Sequence, residues 1–113
     1  MKKYFGPLLI LMITLTSCSK PDIKKGTPAC IKNKISTFDS EQSCTAGVNV
    51  TEYTFQNKTV YVFNPGTCGA DMASEVIDSD CNTLGYLGGI SGNTIINDED
   101  FSNANYIGIT WEK

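Results

Sequence analysis

The sequence predicts an α+β domain: a short N-terminal helix packed on an antiparallel β-sheet of about five strands, a meander of hairpins braced by disulfides. Three observations lead there. Two runs rich in β-branched and aromatic residues, VTEYTFQ (residues 50–56) and TVYVFN (59–64), are parted only by Asn57 and Lys58, the pattern of a hairpin. Ile31, Ile35 and Phe38 recur at i, i+4 and i+7, the pattern of one apolar helix face. Five cysteines in 113 residues suit a small exported domain that needs covalent support, because a chain of this size buries only about 60 to 65% of its unfolded surface.

At the N-terminus, Lys2 and Lys3 precede the apolar run LLILMITL (residues 8–15). The run is too short to span a bilayer as a mature helix and has the build of a secretory signal covering residues 1–17. It ends in LTSC (15–18), which resembles the lipobox of bacterial lipoproteins: a branched apolar residue, two small ones, and a cysteine. The resemblance implies that Cys18 is acylated and becomes the new N-terminus, holding the protein permanently to a membrane through lipid. It also implies a cell-envelope address, with Ser19 rather than Asp directing the protein to the outer membrane. SKPD (19–22) faintly resembles the surface-export signals of some Bacteroidota lipoproteins, and the membrane face stays open. Setting Cys18 aside leaves Cys30, Cys44, Cys68 and Cys81, enough for two disulfides in an oxidising compartment.

Residues 18–27 read as the lipidated cysteine and a flexible tether, interrupted by Pro21 and Gly26 and reaching at most about 30 Å. One globular domain follows over residues 28–113. Thr27 is placed to cap a helix and Pro28 suits its first position, so the helix is expected over residues 28–38. After the 50–64 hairpin, Val60 and Val62 share one face of the second strand while Tyr61 and Phe63 share the other, so both faces of the sheet call for cover. Pro65, Gly66 and Gly69 mark a loop. SEVID (74–78) and TLGYL (83–87) flank SDCN as a second hairpin, DEDFSNA (98–104) suits a helical turn with acidic residues at its start, and YIGITWE (106–112) reads as a last strand with Ile107, Ile109 and Trp111 on one face.

Composition removes whole classes of activity. The mature chain carries seven lysines against twelve carboxylates, a net charge of −5, with no histidine and no arginine. Histidine-dependent nucleophile systems and histidine-containing zinc sites are therefore absent, as are bidentate arginine clamps, and nucleic acid is not an expected partner. No cofactor and no metal site is expected. Asp78, Asp80 and Asn82 match the first ligand positions of a calcium loop, but Thr83 and Gly89 stand where that loop needs glycine and glutamate, so turn chemistry accounts for them better. NDED (97–100) reads as a solvated helix start. The four cysteines lack a zinc knuckle's spacing. Gly88, Gly89 and Gly92 follow a strand with no nearby cation, which fits tight backbone geometry rather than a phosphate loop.

The residues PACI, YTFQNKTVYVFNPGTCGADMASEVID, DCN and LGGISGN, with Phe101 and Trp111, resemble an uncharacterised domain family, a domain of unknown function, of small Bacteroidota lipoproteins, over residues 28–111. The resemblance implies no activity. It implies further cysteines at the positions that here hold Gly85 and Ile96, so that these two residues should lie near each other. Four cysteines allow three connectivities; pairing in sequential order, Cys30 with Cys44 and Cys68 with Cys81, is the most economical.

The expected function is that of a lipid-anchored envelope lipoprotein acting as a non-enzymatic binding or structural module with an envelope protein partner. A small protease inhibitor, with the loop at 65–73 and Met72 as its inhibitory segment, is the alternative. A carboxylate-based hydrolase using Glu52, Glu75 or Asp71 is a lesser one. Tyr53, Tyr61, Tyr86, Tyr106 and Trp111 suit core or sheet-cover roles better than a single binding face.

Overall fold

Residues 22–113 are described by a computed structural model of the chain; the expected signal segment, Cys18 and the first part of the expected tether lie outside them. Helix α1 spans Ala29–Glu41, and strands β1 (Val48–Phe55), β2 (Lys58–Pro65), β3 (Ala73–Asp78) and β4 (Thr83–Gly88) follow. A small hairpin, β5 (Ile95–Ile96) and β6 (Glu99–Asp100), leads through a 3₁₀ turn at Phe101–Asn103 to β7 (Asn105–Glu112). Among the described residues, one α-helix and a five-stranded antiparallel sheet match the architecture the sequence predicts.

The order of that sheet is β4-β3-β2-β1-β7. The first four strands make the expected meander, whereas β7 joins the far edge, antiparallel to β1. The chain from Gly88 to Asn105 must therefore cross the sheet, and it does so as the second cover that β2 requires. On one face Ile31 and Ile35 of α1 bury against Val50, Tyr61, Phe63, Ile77 and Trp111. On the other, Ile96 and Phe101 bury against Phe55, Val60, Val62 and Val76. Phe38 stands edge-on to both Phe63 and Trp111, at centroid distances of 5.3 and 6.2 Å.

Local chemistry explains most departures from the predicted bounds. Thr27 does not cap α1. It is buried, and its hydroxyl donates to the Lys24 carbonyl at 2.7 Å. Residues from Ile23 onward are docked rather than free: Ile23 packs on the core, the Lys24 amide donates to the Thr110 carbonyl, and Lys24 Nζ pairs with Glu52 at 3.1 Å. The helix runs three residues past Phe38 because Lys113 reaches its C-terminal end, donating to the carbonyls of Asp39 and Gln42, where a cation satisfies orphan carbonyls and opposes the helix dipole. The first hairpin turns at Gln56 and Asn57, one residue earlier than predicted, with φ of 54° and 63°. Positive φ at both turn positions matches the right-handed twist of the flanking strands.

Strand β7 breaks the predicted alternation. Its register against β1 slips twice, skipping Thr110 between Trp111 and Ile109 and skipping Ile107 between Gly108 and Tyr106. Each bulge inserts one residue and flips the parity of the residues beyond it. Trp111 therefore faces the α1 core while Ile107 and Ile109 are exposed, so the three do not share a face.

The disulfides join Cys30 to Cys81 and Cys44 to Cys68, with Cα separations of 6.2 and 5.8 Å. All four expected cysteines pair, but not in sequential order. The reason is topological: Cys30 opens α1 directly over the β3–β4 turn, where Cys81 sits at φ 66°, whereas Cys44 leaves α1 beside the β2–β3 loop. That loop is closed by Gly66, at φ 94°, where an added Cβ would lie 2.7 Å from the Ala46 carbonyl oxygen and 2.9 Å from Cys44 Sγ.

Trypsin combined with cyanogen bromide at Met72 should join residues 26–32 to 73–113 and residues 35–58 to 59–72; sequential pairing would instead join 26–32 to 35–58. The loops closed span separations of 51 and 24 residues. In the chain-entropy relation these lengths give about 4 and about 3.5 kcal/mol, so paired Cys→Ala variants should lose stability in that order in denaturant titrations.

Candidate functional site

Of the open recesses among the described residues, two lie on opposite faces of the sheet. The first, of about 420 Å³, runs between α1 and the β2–β3 side of the sheet. Its floor is Phe38, Phe63 and the Cys30–Cys81 disulfide; Asn33, Lys34 and Glu41 from the helix face Glu75 from β3 across it. The helix supplies this row because 34, 37, 38 and 41 recur at i, i+3, i+4 and i+7. Glu75 accepts a hydrogen bond from the Thr83 hydroxyl. Among the described residues, Lys34 and Glu41 make no ion pair. The trough thus offers an apolar floor flanked by groups of both charges, an arrangement that can grip a partner.

The second recess, of about 530 Å³, is bounded by Tyr53, Leu87, Phe101, Asn93 and Asp100. Its polar groups are already engaged. Asn93 Nδ2 donates to the carbonyls of Tyr86 and Ile95 at 2.7 and 2.9 Å, and Asp100 accepts from the Ser102 amide at 2.9 Å and from the Thr94 hydroxyl. Those bonds hold the Asp100 carboxyl below the usual carboxylate range, first through Ser102. Gly88, Gly89 and Gly92 have φ of 83°, 76° and 63°. They shape the turn after β4, as tight backbone geometry requires.

Gly85 and Ile96, paired only by the resemblance, do meet. A Cβ on Gly85 would lie 2.9 Å from Ile96 Cδ1, so the isoleucine tip occupies the space that the missing side chain leaves.

The remaining candidates are dispersed. Glu52 is held by Lys24, and Glu75 lies two strands over and two residues along on the same face, roughly 12 Å away by strand spacing. Asp71 sits in the loop at φ 59°, immediately before Met72. That left-handed residue departs from the extended backbone a protease-binding segment presents, and the Met72 carbonyl is bonded by the Gly89 amide. The aromatic set splits between faces: Tyr61 and Trp111 are buried on the α1 side, while Tyr53 stands edge-on to Phe101 and Tyr106 on the other. Burial, and then the charge of Glu52, push the Tyr61 hydroxyl pKa up. Among the described residues no three acidic or thiol side chains converge as a metal site.

Asp78 shows what the calcium-like spacing does here. One carboxylate oxygen accepts from the amides of Asp80 and Asn82, both at 2.9 Å, and the other from the Asn82 side chain at 3.3 Å. Desolvation raises its pKa, but the donors from Asn82 and Asp80, with the charge of Lys58, outweigh it and hold the carboxyl below its usual value.

The sequence model of a family described as a domain of unknown function, DUF6970, matches residues 36–113. Neither the curated proteins nor the solved structures contain a match.

A depressed folded-state pKa gives stability that is fully present above the ordinary aspartate value of about 3.9 and is lost as pH falls through the lower folded value. Asp78→Ala should therefore cost about 1 kcal/mol at neutral pH, after allowance for solvent screening. The two proteins should converge in strong acid, as read by denaturant titrations at both pH values; a pH-independent difference would contradict this role.

Proposed function

This chain belongs to the DUF6970 family, a domain of unknown function, and on that premise we propose that it is a lipid-anchored, disulfide-braced module of a bacterial cell envelope that acts by binding rather than by catalysis. The observation that carries the reading is the LTSC motif at residues 15–18, behind a lysine-led apolar run and only a few residues ahead of the docked segment at Ile23 and Lys24. Two disulfides fit the oxidising compartment to which such a signal delivers a chain. Ser19 favours the outer membrane, and the resemblance to small lipoproteins of Bacteroidota supports that setting.

Binding is favoured by the chemistry of the trough beneath α1. Lys34, Glu41 and Asn33 border an apolar floor there, while the side chains of the opposite recess are spent on holding their own loop. An envelope protein with apolar and mixed-charge contact groups is the partner this surface suits.

Cells fed an alkynyl palmitate should label the wild-type chain and retain it in the membrane fraction, and Cys18→Ser should lose both the label and the sedimentation. An unlabelled wild type, or a Cys18→Ser variant labelled equally, would contradict lipid anchoring.

A further inference from the structure

We infer that the rim of the sheet along β7, where Tyr106 and Ile109 stand on the face opposite α1 and Ile107 sits in a bulge, is the surface that the domain lays on the membrane. The inference rests on the proposed anchoring near residue 18, and it specifies which face the anchor brings down. Tyr106, Ile107 and Ile109 are 58, 49 and 42% exposed, within four positions of an edge strand. The bulges at Ile107 and Thr110 produce this exposure by breaking the alternation that would have turned the isoleucines with Trp111 into the core.

The path of the chain selects this edge. Asp22 lies in the same recess as Ile109 and Trp111, Ile23 packs on the core, and the Lys24 amide donates to the Thr110 carbonyl at 2.9 Å. From Cys18 to Asp22 the contour is four residues, at most about 14 Å. The sheet's opposite edge, β4, also exposes apolar groups, Tyr86 and neighbouring Ile90. It is four strand spacings from β7, about 19 Å. A domain lying on β4 would hold Asp22 farther from the surface than those four residues can reach.

The chemistry of the patch suits the headgroup boundary. Tyrosine presents an apolar ring and a polar hydroxyl, and Tyr106 is steadied edge-on against Tyr53 at 5.6 Å. Ile107 and Ile109 supply apolar area, and the exposed carboxylates of Asp22 and Glu112 border the patch beyond Ile109. A patch this small would not hold a free protein to lipid. An anchor raises its effective concentration at the surface, so weak contact suffices to orient the domain, leaving β4 and the trough turned away.

The test supplies the anchor chemically, so that it stands apart from the lipidation of Cys18. A chain with six histidines in place of residues 1–17 and with Cys18→Ser is bound to phospholipid vesicles through a nickel-chelating lipid. An environment-sensitive fluorophore is attached at Ile107→Cys or, as a second reporter, Ile109→Cys, with Ile90→Cys as the control. Both native disulfides are verified by peptide map in each variant. Vesicle binding should lower iodide quenching severalfold at 107 and 109, with a blue shift in emission, and leave 90 unchanged. Equal quenching at all three positions, protection at 90 instead, or protection at 107 without vesicles as protein concentration rises, the mark of a second copy, would overturn the inference. Absence of palmitate on the native chain would bear on the anchor reading alone.

Discussion

Strand β2 is apolar on both faces, and the rest of the molecule is arranged around that constraint. Val60 and Val62 point one way, Tyr61 and Phe63 the other, and all four are buried. A sheet of this kind cannot leave either side to solvent, since each large apolar side chain stabilises the fold by about 1.5 to 3 kcal/mol only when it is covered. One helix can cover one side. The other must be covered by the connection from β4 to β7, which explains why the last strand lies beside β1 and why the β5–β6 hairpin exists.

The two covers are fastened differently. On the α1 side the fastening is covalent: Cys30–Cys81 ties the first turn of the helix to the β3–β4 turn, and Cys44–Cys68 ties its exit to the loop after β2. Lys113, from the far end of the chain, closes the helix C-terminus. On the other side the fastening is packing and hydrogen bonding. Ile96 fills the space over Gly85, and the Gln56 side chain donates to the Asn97 carbonyl and to Glu99, joining the two hairpin turns. The family resemblance implies cysteines at 85 and 96, so a cross-link would brace the second cover as it does the first; here an isoleucine tip against a glycine takes that place.

What could be read in the sequence was what depends on neighbours in the chain. The helix face of Ile31, Ile35 and Phe38, both hairpins and the need for two covers follow from periodicity and turn residues; the helical turn expected over 98–104 is found only at Phe101–Asn103, because Glu99 and Asp100 pair as β6 with Ile96 and Ile95. What could not be read depends on contacts between distant residues. Lys113 extends α1 from 71 residues beyond Gln42. The pairing of β7 with β1 and its two bulges are set by how the crossing segment lies, so local alternation wrongly grouped Ile107 and Ile109 with Trp111. Disulfide partners likewise depend on the position of α1 over the β3–β4 turn. The trough is not legible in the sequence because Asn33, Lys34 and Glu41 form an ordinary solvated helix face until Glu75 and Phe63 are placed across from them.

Native-state hydrogen exchange on the disulfide-intact protein reads whether β2 is the doubly covered spine on which both covers depend. The amides of Val60 to Phe63 should be the slowest to exchange, opening only with global unfolding, while the outer amides of β7 and of β4 exchange through smaller openings. Exchange in β2 as fast as at either edge, or protection that persists there after the β5–β6 cover has opened, would mean that β2 does not depend on its two covers.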